Sequence, residues 1–529
     1  MSENAIFRKT KGTRLCFGEF IEKELKMAST LAERILELKE LKGEKLAVAF
    51  RKERLTYREL ADTMLHMASA LAELKVEKEL HVLCTAPSKP ETVVAYLALG
   101  YLGATAVLSD KNSTPENAFA LYHDSGSSLF LTDLKLGEVP SDVRTASLKT
   151  LYKNARAAAE EGKEPVLPEY TSPEPETLSE MIFTSGTTGK PKGVMLSYRA
   201  IYTILHNTIE GIGIYPDDVT LVPLPLHHSL ALREVRAILW QGGTLVLQNG
   251  FTFAREVESN LDQFGCTGMV AVPVSMELLR TQMQDHFYEI IGRFRYLEIG
   301  AGALSVEQRK RLSKNLPNTD LNNTWGSSET GGVLFTKVHE VAGNDARVST
   351  LGYPVANAEL RMIGEDGKDA GTDHDHPGKL AIRGRMTTSG YWGMPELTAE
   401  TLVDGWLITN DLCYADADGY IYMLGRSDDI MNIGGEKLSP LEIENIACEA
   451  PGVRECACIG VADPQGILGQ VPLLFVAPDE HYSEEEVRKY LAEHMERWKL
   501  PVEYRTIDAL PRNLMQKLDR KVLRKMAAE

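Results

Sequence analysis

Two kinds of apolar pattern alternate along the chain between residues 54 and 110. Stretches with helical spacing of apolar residues alternate with short, continuous apolar runs that predict strands. The helices are predicted at residues 57–74 and 91–102, and the strands at residues 81–85 and 105–108. The alternation resumes from residue 220 to residue 299, after a Glu- and Pro-rich segment, residues 160–175, that predicts a surface loop. This rhythm is typical of parallel strands joined by crossover helices and predicts an α/β fold.

The pattern changes from about Leu351 onward, where frequent glycine turns separate short strands and predict a small β-rich subdomain. The strands are predicted at residues 358–363, 378–383 and 419–424. After residues 425–429 the chain restarts with helices and strands of its own. We therefore predict a large N-terminal domain of α/β layers with a β-rich subdomain, residues 1–425, and a small α+β C-terminal domain, residues 426–529. About 100 residues are enough for the smaller domain to form its own core.

Composition and charge narrow the classes of partner. Apolar residues make up 43% and charged residues 25% of the 529 residues, which excludes a disordered or fibrous protein. The formal net charge is −17, so the surface repels nucleic-acid phosphates and anionic lipids, and neither is expected as a partner. A ligand that carries phosphate must therefore be held locally, by backbone amides and a few positioned cations.

Cysteine usage and the longest apolar stretch indicate the compartment. The seven cysteines are scattered, with no CxxC or zinc-ribbon spacing, and predict buried free thiols in a reducing compartment. The first twenty residues contain no apolar signal core. The longest uncharged apolar stretch, Val93 to Leu108, is interrupted by two glycines and is short for a membrane span of about 20 residues. We predict a cytoplasmic protein without integral membrane association.

A segment rich in Gly, Thr and Lys, residues 184–193, carries the clearest chemical signal. It follows the apolar run 181–183 and combines three glycines, four hydroxyl side chains and two lysines. Glycines let the backbone approach an anion, and hydroxyls and lysines bind one, so the segment predicts a polyphosphate site. It is not a Walker loop, because Pro191 stands where a Ser or Thr would hold magnesium. The candidate phosphate ligands are Thr184, Ser185, Gly186, Thr187, Thr188 and Lys192.

This segment resembles the phosphate loop of the adenylate-forming superfamily, which includes acyl-CoA synthetases, 4-coumarate–CoA ligases, luciferases and peptide-synthetase adenylation domains. Six motifs occur in the family's order across nearly the whole chain. Residues 323–329, Asn-Thr-Trp-Gly-Ser-Ser-Glu, resemble the motif whose aromatic residue lies along adenine, whose hydroxyl meets the α-phosphate and whose glutamate holds Mg²⁺. The resemblance implies these roles for Trp325, Ser328 and Glu329. The neighbouring nucleotide-binding residues are Asn323, Thr324 and Gly326.

The other motifs complete the implied nucleotide site. Residues 300–303 resemble the strip along the other face of adenine, which implies roles for Gly302 and Ala303. Residues 405–411 resemble the segment whose aspartate binds both ribose hydroxyls, here Asp411, and Arg426 matches a second ribose contact, with Asp428 at the hinge. Residues 434–437 resemble the Gly-Gly-Glu-Lys variant of bacterial acyl-CoA synthetases, with Gly434 and Gly435 at the cofactor.

Residues 511–517 resemble the C-terminal stretch that carries the family's catalytic lysine, here Lys517. Gln516 replaces the usual glycine before it. The alternative is that Lys517 belongs to a solvated basic helix face, because Arg520, Lys521 and Arg524 follow. In the family the small lobe rotates between two half-reactions, so the resemblance implies that residues 426–529 form a mobile lid on the adenylation domain, residues 1–425.

Two histidine clusters are interpreted differently. Asp373-His374-Asp375-His376 lies in a polar stretch and predicts a solvated loop rather than a metal site. His227-His228 resembles the segment that gates the carboxylate pocket, with His228 as the better match and a helix-capping histidine as the alternative. For Arg233, a surface ion pair with Glu234 or Glu210 is favoured over contact with a second substrate carboxylate.

The resemblance implies an ATP-dependent acid–thiol ligase that makes an acyl-adenylate and transfers the acyl group to CoA, with ATP, Mg²⁺ and coenzyme A as its cofactors. Thr184, His228 and Lys517 are the implied catalytic residues. The apolar helix after the gate favours a fatty or aromatic acid. The alternatives are an enzyme that loads a carrier protein and a non-catalytic acyl- or nucleotide-binding relative. The prediction also allows a homodimer.

Overall fold

The computed structural model describes residues 30–184, 191–302, 304–512 and 517–528. Its first helices and strands alternate as the apolar pattern predicts. They are α1 (Leu31–Lys42), β1 (Leu46–Phe50), β2 (Glu53–Thr56), α2 (Tyr57–Glu73), β3 (His81–Thr85), α3 (Pro90–Tyr101), β4 (Thr105–Ser109), α4 (Pro115–Asp124), β5 (Leu129–Leu131), β6 (Thr145–Ala146) and α5 (Leu148–Glu160). The rest of the Glu- and Pro-rich segment, residues 161–175, contains neither helix nor strand.

The middle of the chain continues the alternation. Its helices and strands are β7 (Leu178–Thr184), β8 (Lys192–Ser197), α6 (Tyr198–Ile212), β9 (Val219–Val222), α7 (Ser229–Gln241), β10 (Thr244–Leu247), α8 (Ala254–Phe264), β11 (Gly268–Ala271), α9 (Pro273–Met283), α10 (Phe287–Ile291), β12 (Tyr296–Gly300), α11 (Val306–Asn315), β13 (Asp320–Ser327), β14 (Gly331–Lys337) and α12 (Val338–Ala342).

The β-rich part follows as β15 (Tyr353–Pro354), β16 (Glu359–Ile363), β17 (Gly378–Arg383), β18 (Gly390–Tyr391), α13 (Pro395–Thr401), β19 (Leu402–Val403), β20 (Trp406–Ala415) and β21 (Ile421–Arg426). The last part contains β22 (Met431–Ile433), β23 (Glu436–Leu438), α14 (Pro440–Ala447), β24 (Val453–Ala462), β25 (Gln470–Pro478), α15 (Glu484–His494), β26 (Glu503–Thr506) and α16 (Arg520–Ala528).

Two large sheets organise the chain from residue 46 to residue 391. One has nine strands in the order β15-β14-β13-β12-β11-β9-β10-β1-β2, and the other has seven in the order β18-β8-β7-β4-β3-β5-β6. Strands β9 to β13 of the first sheet are parallel neighbours, as are β3, β4 and β7 of the second. One apolar cluster joins α1, α2, α3, α5 and α7 to strands of both sheets. The predicted α/β class is confirmed.

Helix α3 illustrates how the sequence produces this packing. Pro90 begins the helix, where its missing amide hydrogen is not needed, and every residue from Pro90 to Leu99 is buried. A helix that is apolar on all sides must be covered on all sides. The uncharged stretch 93–108 is therefore a core helix followed by the buried strand β4, as predicted. In the described ranges, no helix is long and apolar enough to cross a membrane.

Smaller sheets follow in the C-terminal third. Strands β16, β17, β20, β19 and β21 form an antiparallel sheet. Strands β24, β25 and β26 form a mixed sheet, in which β24 is antiparallel and β26 parallel to β25, with α14 and α15 packed on it. Two apolar clusters within residues 431–527 line the latter sheet. The predicted boundary at residue 426 falls at the end of β21 and stays a prediction. Cys84, Cys266, Cys413, Cys448, Cys456 and Cys458 are free thiols.

Candidate active site

A cavity of about 300 Å³ opens where the parallel strands of both sheets end. Its walls come from the residues directly after β3, β4, β9, β10, β11, β12 and β13. Ligands of open α/β sheets bind at the carboxyl ends of strands, because the loops there meet above a rigid frame. The lining residues from these loops include Ala86, Ser88, Asp110, Lys111, Leu224, His227, His228, Asn249, Val272, Ala301 and Ser328.

Lys517 reaches the same cavity from the C-terminal part of the chain. Its ammonium interacts with the carboxylates of Asp411 and Glu329 and with the guanidinium of Arg426. The surrounding protein lowers the pKa of Lys517 by desolvation, and the two carboxylates only partly oppose this shift. Solvent still reaches the side chain. The structure thus brings Lys517 together with His228 and Ser328 around one cavity.

A hydrogen bond from Tyr391 fixes the carboxylate of Glu329. The Tyr391 hydroxyl donates to Glu329 Oε1 at 3.0 Å, and the backbone amide of Thr388 donates to the Glu329 carbonyl oxygen at 2.8 Å. Lys192 is also close to Tyr391, with its Nζ 5.7 Å from the centre of the Tyr391 ring. Thr184 pairs with Lys192 across β7 and β8. Tyr391 is a residue that the motif analysis missed, because it lies 62 positions from Glu329.

Strand register determines which residues lie beside the predicted adenine strip, residues 300–303. Ile299 pairs with Asn323, and Gly300 with Thr324, so residues 300–302 lie beside the start of the predicted nucleotide motif. The side chain of Asn323 is fixed at both ends: its Nδ2 donates to the carbonyl of Ile299 at 2.8 Å, and its Oδ1 accepts from Arg309 at 2.6 Å. Arg309 was not predicted, and its only sequence signal is an ordinary helical position.

The hydroxyl groups of Thr324 and Ser328 point to a polar ligand. Thr324 Oγ1 is buried and has no hydrogen-bond partner among the described residues, although Thr324 lines the cavity. A buried hydroxyl without a partner is costly unless a ligand satisfies it. Ser328 donates to the hydroxyl of Ser229, the first residue of α7, at 3.3 Å. The residues present therefore fit a phosphate-bearing ligand.

Asp411 and Arg426 face each other across the antiparallel strands β20 and β21. Burial raises the pKa of Asp411, and the charges of Arg426 and Lys517 lower it in part. The Asp411 amide donates to Thr409 Oγ1 at 3.1 Å, which fixes its backbone. The register thus pairs the two residues that the family resemblance assigns to ribose.

His227 and His228 both line the cavity, with their ring centres 4.0 Å apart. His228 occupies the N-cap position of α7, but its side chain makes no capping hydrogen bond. The helix-capping alternative is therefore not supported. Burial lowers the pKa of His228 to about 3, and His227 and Lys517 add to the shift, so its imidazole is neutral at physiological pH.

Arg233 forms the predicted ion pair with Glu234, but the predicted surface location is wrong, because both side chains are buried. Arg233 is only 3% exposed and pairs with Glu298 of β12, while Glu234 Oε1 lies 3.5 Å from its Nη2. Burial and the neighbouring Glu298 carboxylate hold the pKa of Glu234 well above its usual range. Arg233 also lines the cavity. The charged residues of this helix predicted a surface position, but α7 lies between the two sheets and is buried from residue 231 to residue 239.

Several predicted site residues lie elsewhere. Gly434 and Gly435 form the exposed tip between β22 and β23, with positive φ angles of 62° and 98° that favour glycine, and are not on the cavity wall. Next to them, Lys437 forms an exposed ion pair with Glu365 of the β-rich part. Gly302 is exposed beside the cavity. Outside the described residues lie Ser185, Gly186, Thr187, Thr188 and Ala303.

The Asp-His cluster at residues 373–376 is an exposed loop, as predicted, in which His376 Nδ1 lies 2.8 Å from Asp373 Oδ1. Within the described ranges there is no group of three or more His, Cys, Asp or Glu side chains that could hold a metal ion.

Comparison with known proteins identifies the class. Residues 38–392 match the family model of the AMP-binding enzymes, and residues 442–517 match the model of the AMP-binding enzyme C-terminal domain. Since the matches cover most of the chain, the protein belongs to the AMP-binding enzyme family. This confirms the predicted adenylate-forming superfamily.

Curated relatives and solved structures agree. A 2-succinylbenzoate–CoA ligase of Bacillus cereus (strain ATCC 14579) is 27% identical over 95% of this chain and 100% of its own. One from Geobacillus kaustophilus is 28% identical over 92% and 96%. The o-succinylbenzoate CoA synthetase of Bacillus subtilis, in complex with ATP and magnesium, matches with a TM-score of 0.80 and 26% identity over 93% of this chain and 99% of that one. ATP-bound MatB from Rhodopseudomonas palustris shares the fold (TM-score 0.83, 23% identity, 95% and 99% covered).

These likenesses confirm the predicted enzyme class, an AMP-forming acid–thiol ligase of the acyl-CoA synthetase type, and the prediction of ATP, Mg²⁺ and CoA as its cofactors. They also confirm the fold class, with a large N-terminal and a smaller C-terminal domain. The residues that perform the chemistry, and the acid itself, are matters of proposal.

Proposed function

We propose that the protein activates a fatty or aromatic acid with ATP as an acyl-adenylate and transfers the acyl group to CoA, using Lys517 as the catalytic cation. The observation that carries this proposal is the convergence of Lys517, His228 and Ser328 on one cavity. Lys517 comes from the C-terminal part of the chain, whereas His228 and Ser328 follow strands of the nine-stranded sheet. This convergence supports a reaction that needs both parts of the protein.

The chemistry explains why a cation is needed there. A carboxylate reacts poorly with a thiol, because its leaving group would be oxide. When a carboxylate oxygen attacks the α-phosphorus of ATP, the bond to pyrophosphate breaks and AMP becomes the future leaving group. Negative charge accumulates around the α-phosphate, so a positioned ammonium and a hydroxyl donor lower the barrier. Lys517 and Ser328 supply these groups. The sulfur of CoA then attacks the acyl carbon, expels AMP and forms the thioester.

The remaining residues hold the nucleotide and its magnesium. Glu329 would hold Mg²⁺ when MgATP binds, because carboxylate oxygen is a ligand that this ion prefers, and the ion would neutralise charge on the phosphates. The Tyr391 hydrogen bond, which fixes the carboxylate, supports this role. Neutral His228 gates the acid. The proposed nucleotide contacts are Thr184, Ser185, Gly186, Thr187, Thr188 and Lys192 for the phosphates; Gly302, Ala303, Asn323, Thr324, Trp325 and Gly326 for adenosine; Asp411 and Arg426 for ribose; and Gly434 and Gly435 as further cofactor contacts.

The cavity walls favour an acid whose acyl group is uncharged near α7. Leu230 and Val272 supply apolar surface, and the charge of Arg233 is already compensated by Glu298. A second substrate carboxylate at Arg233 would have to displace Glu298, which is fully buried. The acid in the name of the relatives, 2-succinylbenzoate, is aromatic, which supports an aromatic substrate. It also carries a second carboxylate, for which the compensated charge of Arg233 offers no partner.

The expected nucleotide products test the proposal. Magnesium-dependent turnover should release AMP and pyrophosphate only when an acid is present, because the site lacks the spacing of a Walker loop. Fatty, aryl and dicarboxylic acids should be assayed for AMP release with and without CoA. Formation of ADP and phosphate would contradict adenylation. If CoA leaves the rate of AMP release unchanged and a carrier protein raises it, the carrier-loading alternative is favoured. Nucleotide binding without AMP release would favour a non-catalytic relative.

Replacing Asp411 with alanine should weaken ATP binding by about 1.5–3 kcal/mol, the range for hydrogen bonds to a charged group. Isothermal titration with a non-hydrolysable ATP analogue measures this change directly. Asp418→Ala is the matched control, because Asp418 is exposed and pairs with Arg347 away from the cavity. Equal affinity in the parent and Asp411→Ala would assign Asp411 to strand structure instead.

Three further assignments stay predictions. We propose that residues 426–529 act as a lid that rotates on residues 1–425 between the two half-reactions. We also propose a cytoplasmic location and a homodimeric assembly. Size-exclusion chromatography with light scattering distinguishes a homodimer from a monomer.

A further inference from the structure

Arg520, the first residue of α16, binds the C-terminal part of the chain at several points. Its Nη1 donates to Glu444 Oε1 at 2.5 Å and to the carbonyl oxygen of Cys458 at 2.7 Å, and its Nη2 donates to Glu444 Oε2 at 3.0 Å. The side chain is only 13% exposed. A two-point arginine–carboxylate pair is strong and fixes orientation as well as distance.

Glu444 extends this attachment to two further elements. It lies on α14, and its Oε1 also accepts a hydrogen bond from the backbone amide of Cys458 on β24, at 2.6 Å. Arg520 and Glu444 together therefore attach the start of α16 to α14 and to the outer strand β24 of the C-terminal sheet. Burial of the pair protects it from competition with water.

The same arginine reaches the connector between the two predicted domains. Arg520 Nε lies 3.5 Å from Asp429 Oδ2, and Arg524 Nη2 donates to Asp429 Oδ1 at 2.6 Å. Asp429 directly follows Asp428, the predicted hinge residue. A single buried guanidinium thus contacts the connector, α14 and β24.

Lys517 is only three residues before Arg520, so the two Cα atoms are at most about 11 Å apart. Residues on either side of Lys517 are also joined to each other: residues 511 and 512 contact residues 518 and 519. Arg512 and Leu518 form an antiparallel bridge, the Asp519 amide donates to the carbonyl of Pro511 at 2.8 Å, and Arg512 pairs with Glu455 at 3.0 Å. The contacts of Arg520 with Glu444 and Cys458 therefore restrict where the backbone of Lys517 can lie.

We infer that Arg520 is a positioning residue, whose two-point pair with Glu444 and contact with Asp429 hold Lys517 at the cavity for adenylate formation. The inference rests on the proposed role of Lys517. Arg520 does not touch the reacting groups and acts only through the lysine. A positional error of about 1 Å at a catalytic group costs up to about 100-fold in rate, so loss of the pair should reduce the first half-reaction selectively.

Arg520→Lys keeps the charge but cannot form the two-point pair. We expect adenylate formation, followed as acid-dependent pyrophosphate exchange, to fall about 10- to 100-fold in kcat with the KM for ATP changed less than about twofold. Thioester formation from synthetic acyl-adenylate and CoA should stay within twofold of the parent. Arg524→Gln is the matched control, because Arg524 binds the same Asp429 but is exposed and does not contact Glu444.

A double-variant cycle separates positioning from general support of the fold. If Arg520 acts through the lysine, Arg520→Lys should reduce adenylate formation no further in a Lys517→Ala background. Additive losses, or equal losses in both half-reactions with a lower unfolding temperature, overturn the inference. If Arg520→Lys does not fold, Glu444→Gln, which removes one of the two acceptor oxygens, replaces it in the same cycle.

The two hypotheses fail in different ways. If Lys517→Ala reduces adenylate formation and Arg520→Lys does not, the positioning inference is overturned and the proposed function stands. If Lys517→Ala leaves adenylate formation unchanged, the catalytic assignment of Lys517 fails whatever the Arg520 variant does.

Discussion

Replacing Lys517 with alanine should slow adenylate formation from acid and ATP by about 10²–10³-fold, the usual effect of removing one group that stabilises charge in the transition state. The ammonium shares the cavity with His228 and Ser328 and lies near the carboxylates of Asp411 and Glu329. In the proposed cycle the lobe that carries Lys517 turns away before CoA reacts. The same variant, given synthetic acyl-adenylate and CoA, should therefore make thioester at nearly the parental rate.

Single-turnover measurements of each half-reaction test this expectation. Lys525→Ala is the matched control, because Lys525 is an exposed member of the same basic tail. Equal impairment of both half-reactions would mean that Lys517 supports the fold of the lobe, as the solvated-face alternative requires. Unimpaired adenylate formation would transfer the role of the cation to Lys437 or Lys192.

Replacing Glu180 with alanine should destabilise the protein by about 3–5 kcal/mol, because it leaves a buried charge without its partner. Arg236 of α7 is 1% exposed, and its Nη1 donates to Glu180 Oε1 of β7 at 2.5 Å. The hydroxyl of Tyr96 donates to the second oxygen, Oε2, at 2.9 Å. Loss of the carboxylate leaves the guanidinium and the Tyr96 hydroxyl unsatisfied in the interior.

Urea denaturation of the parent and the variant measures the effect through the unfolding midpoint. Glu176→Ala is the control, since Glu176 forms an exposed pair with Arg199. The double variant Glu180→Leu/Arg236→Met should recover most of the loss, because a buried ion pair is commonly replaceable by apolar residues of similar volume. An unchanged midpoint in Glu180→Ala would show that Arg236 finds another partner.

The sequence motifs predict the proposed nucleotide site because the residues of each motif are close together in the chain. Trp325 lies near the end of β13, Ser328 and Glu329 lie in the turn that follows it, and Asp411 and Arg426 lie on adjacent strands. The pairs that position the proposed site residues are distant in the sequence. Tyr391, which binds Glu329, lies 62 positions after it, and Arg520, which is proposed to position Lys517, lies 76 positions after its partner Glu444. Local spacing carries no signal for such pairs, so only the fold reveals them.

Helix α7 shows a different limit of sequence patterns. Its charged residues suggest a solvated face, yet Arg233, Glu234 and Arg236 are all buried. The helix lies between two sheets, with Arg233 paired to β12 of one sheet and Arg236 paired to β7 of the other. A hydropathy pattern assumes that a helix has one covered side, and that assumption does not hold for a helix covered by two layers.

The exposed pair between Lys437 and Glu365 has a consequence for the timing of the cycle. It joins the C-terminal part to the β-rich part, and exposed ion pairs contribute little stability and weaken further in salt. In the proposed cycle this pair acts as a latch that releases easily. The arrival and departure of MgATP, acyl-adenylate and CoA, rather than this contact, would then decide how long the lobe stays in each orientation.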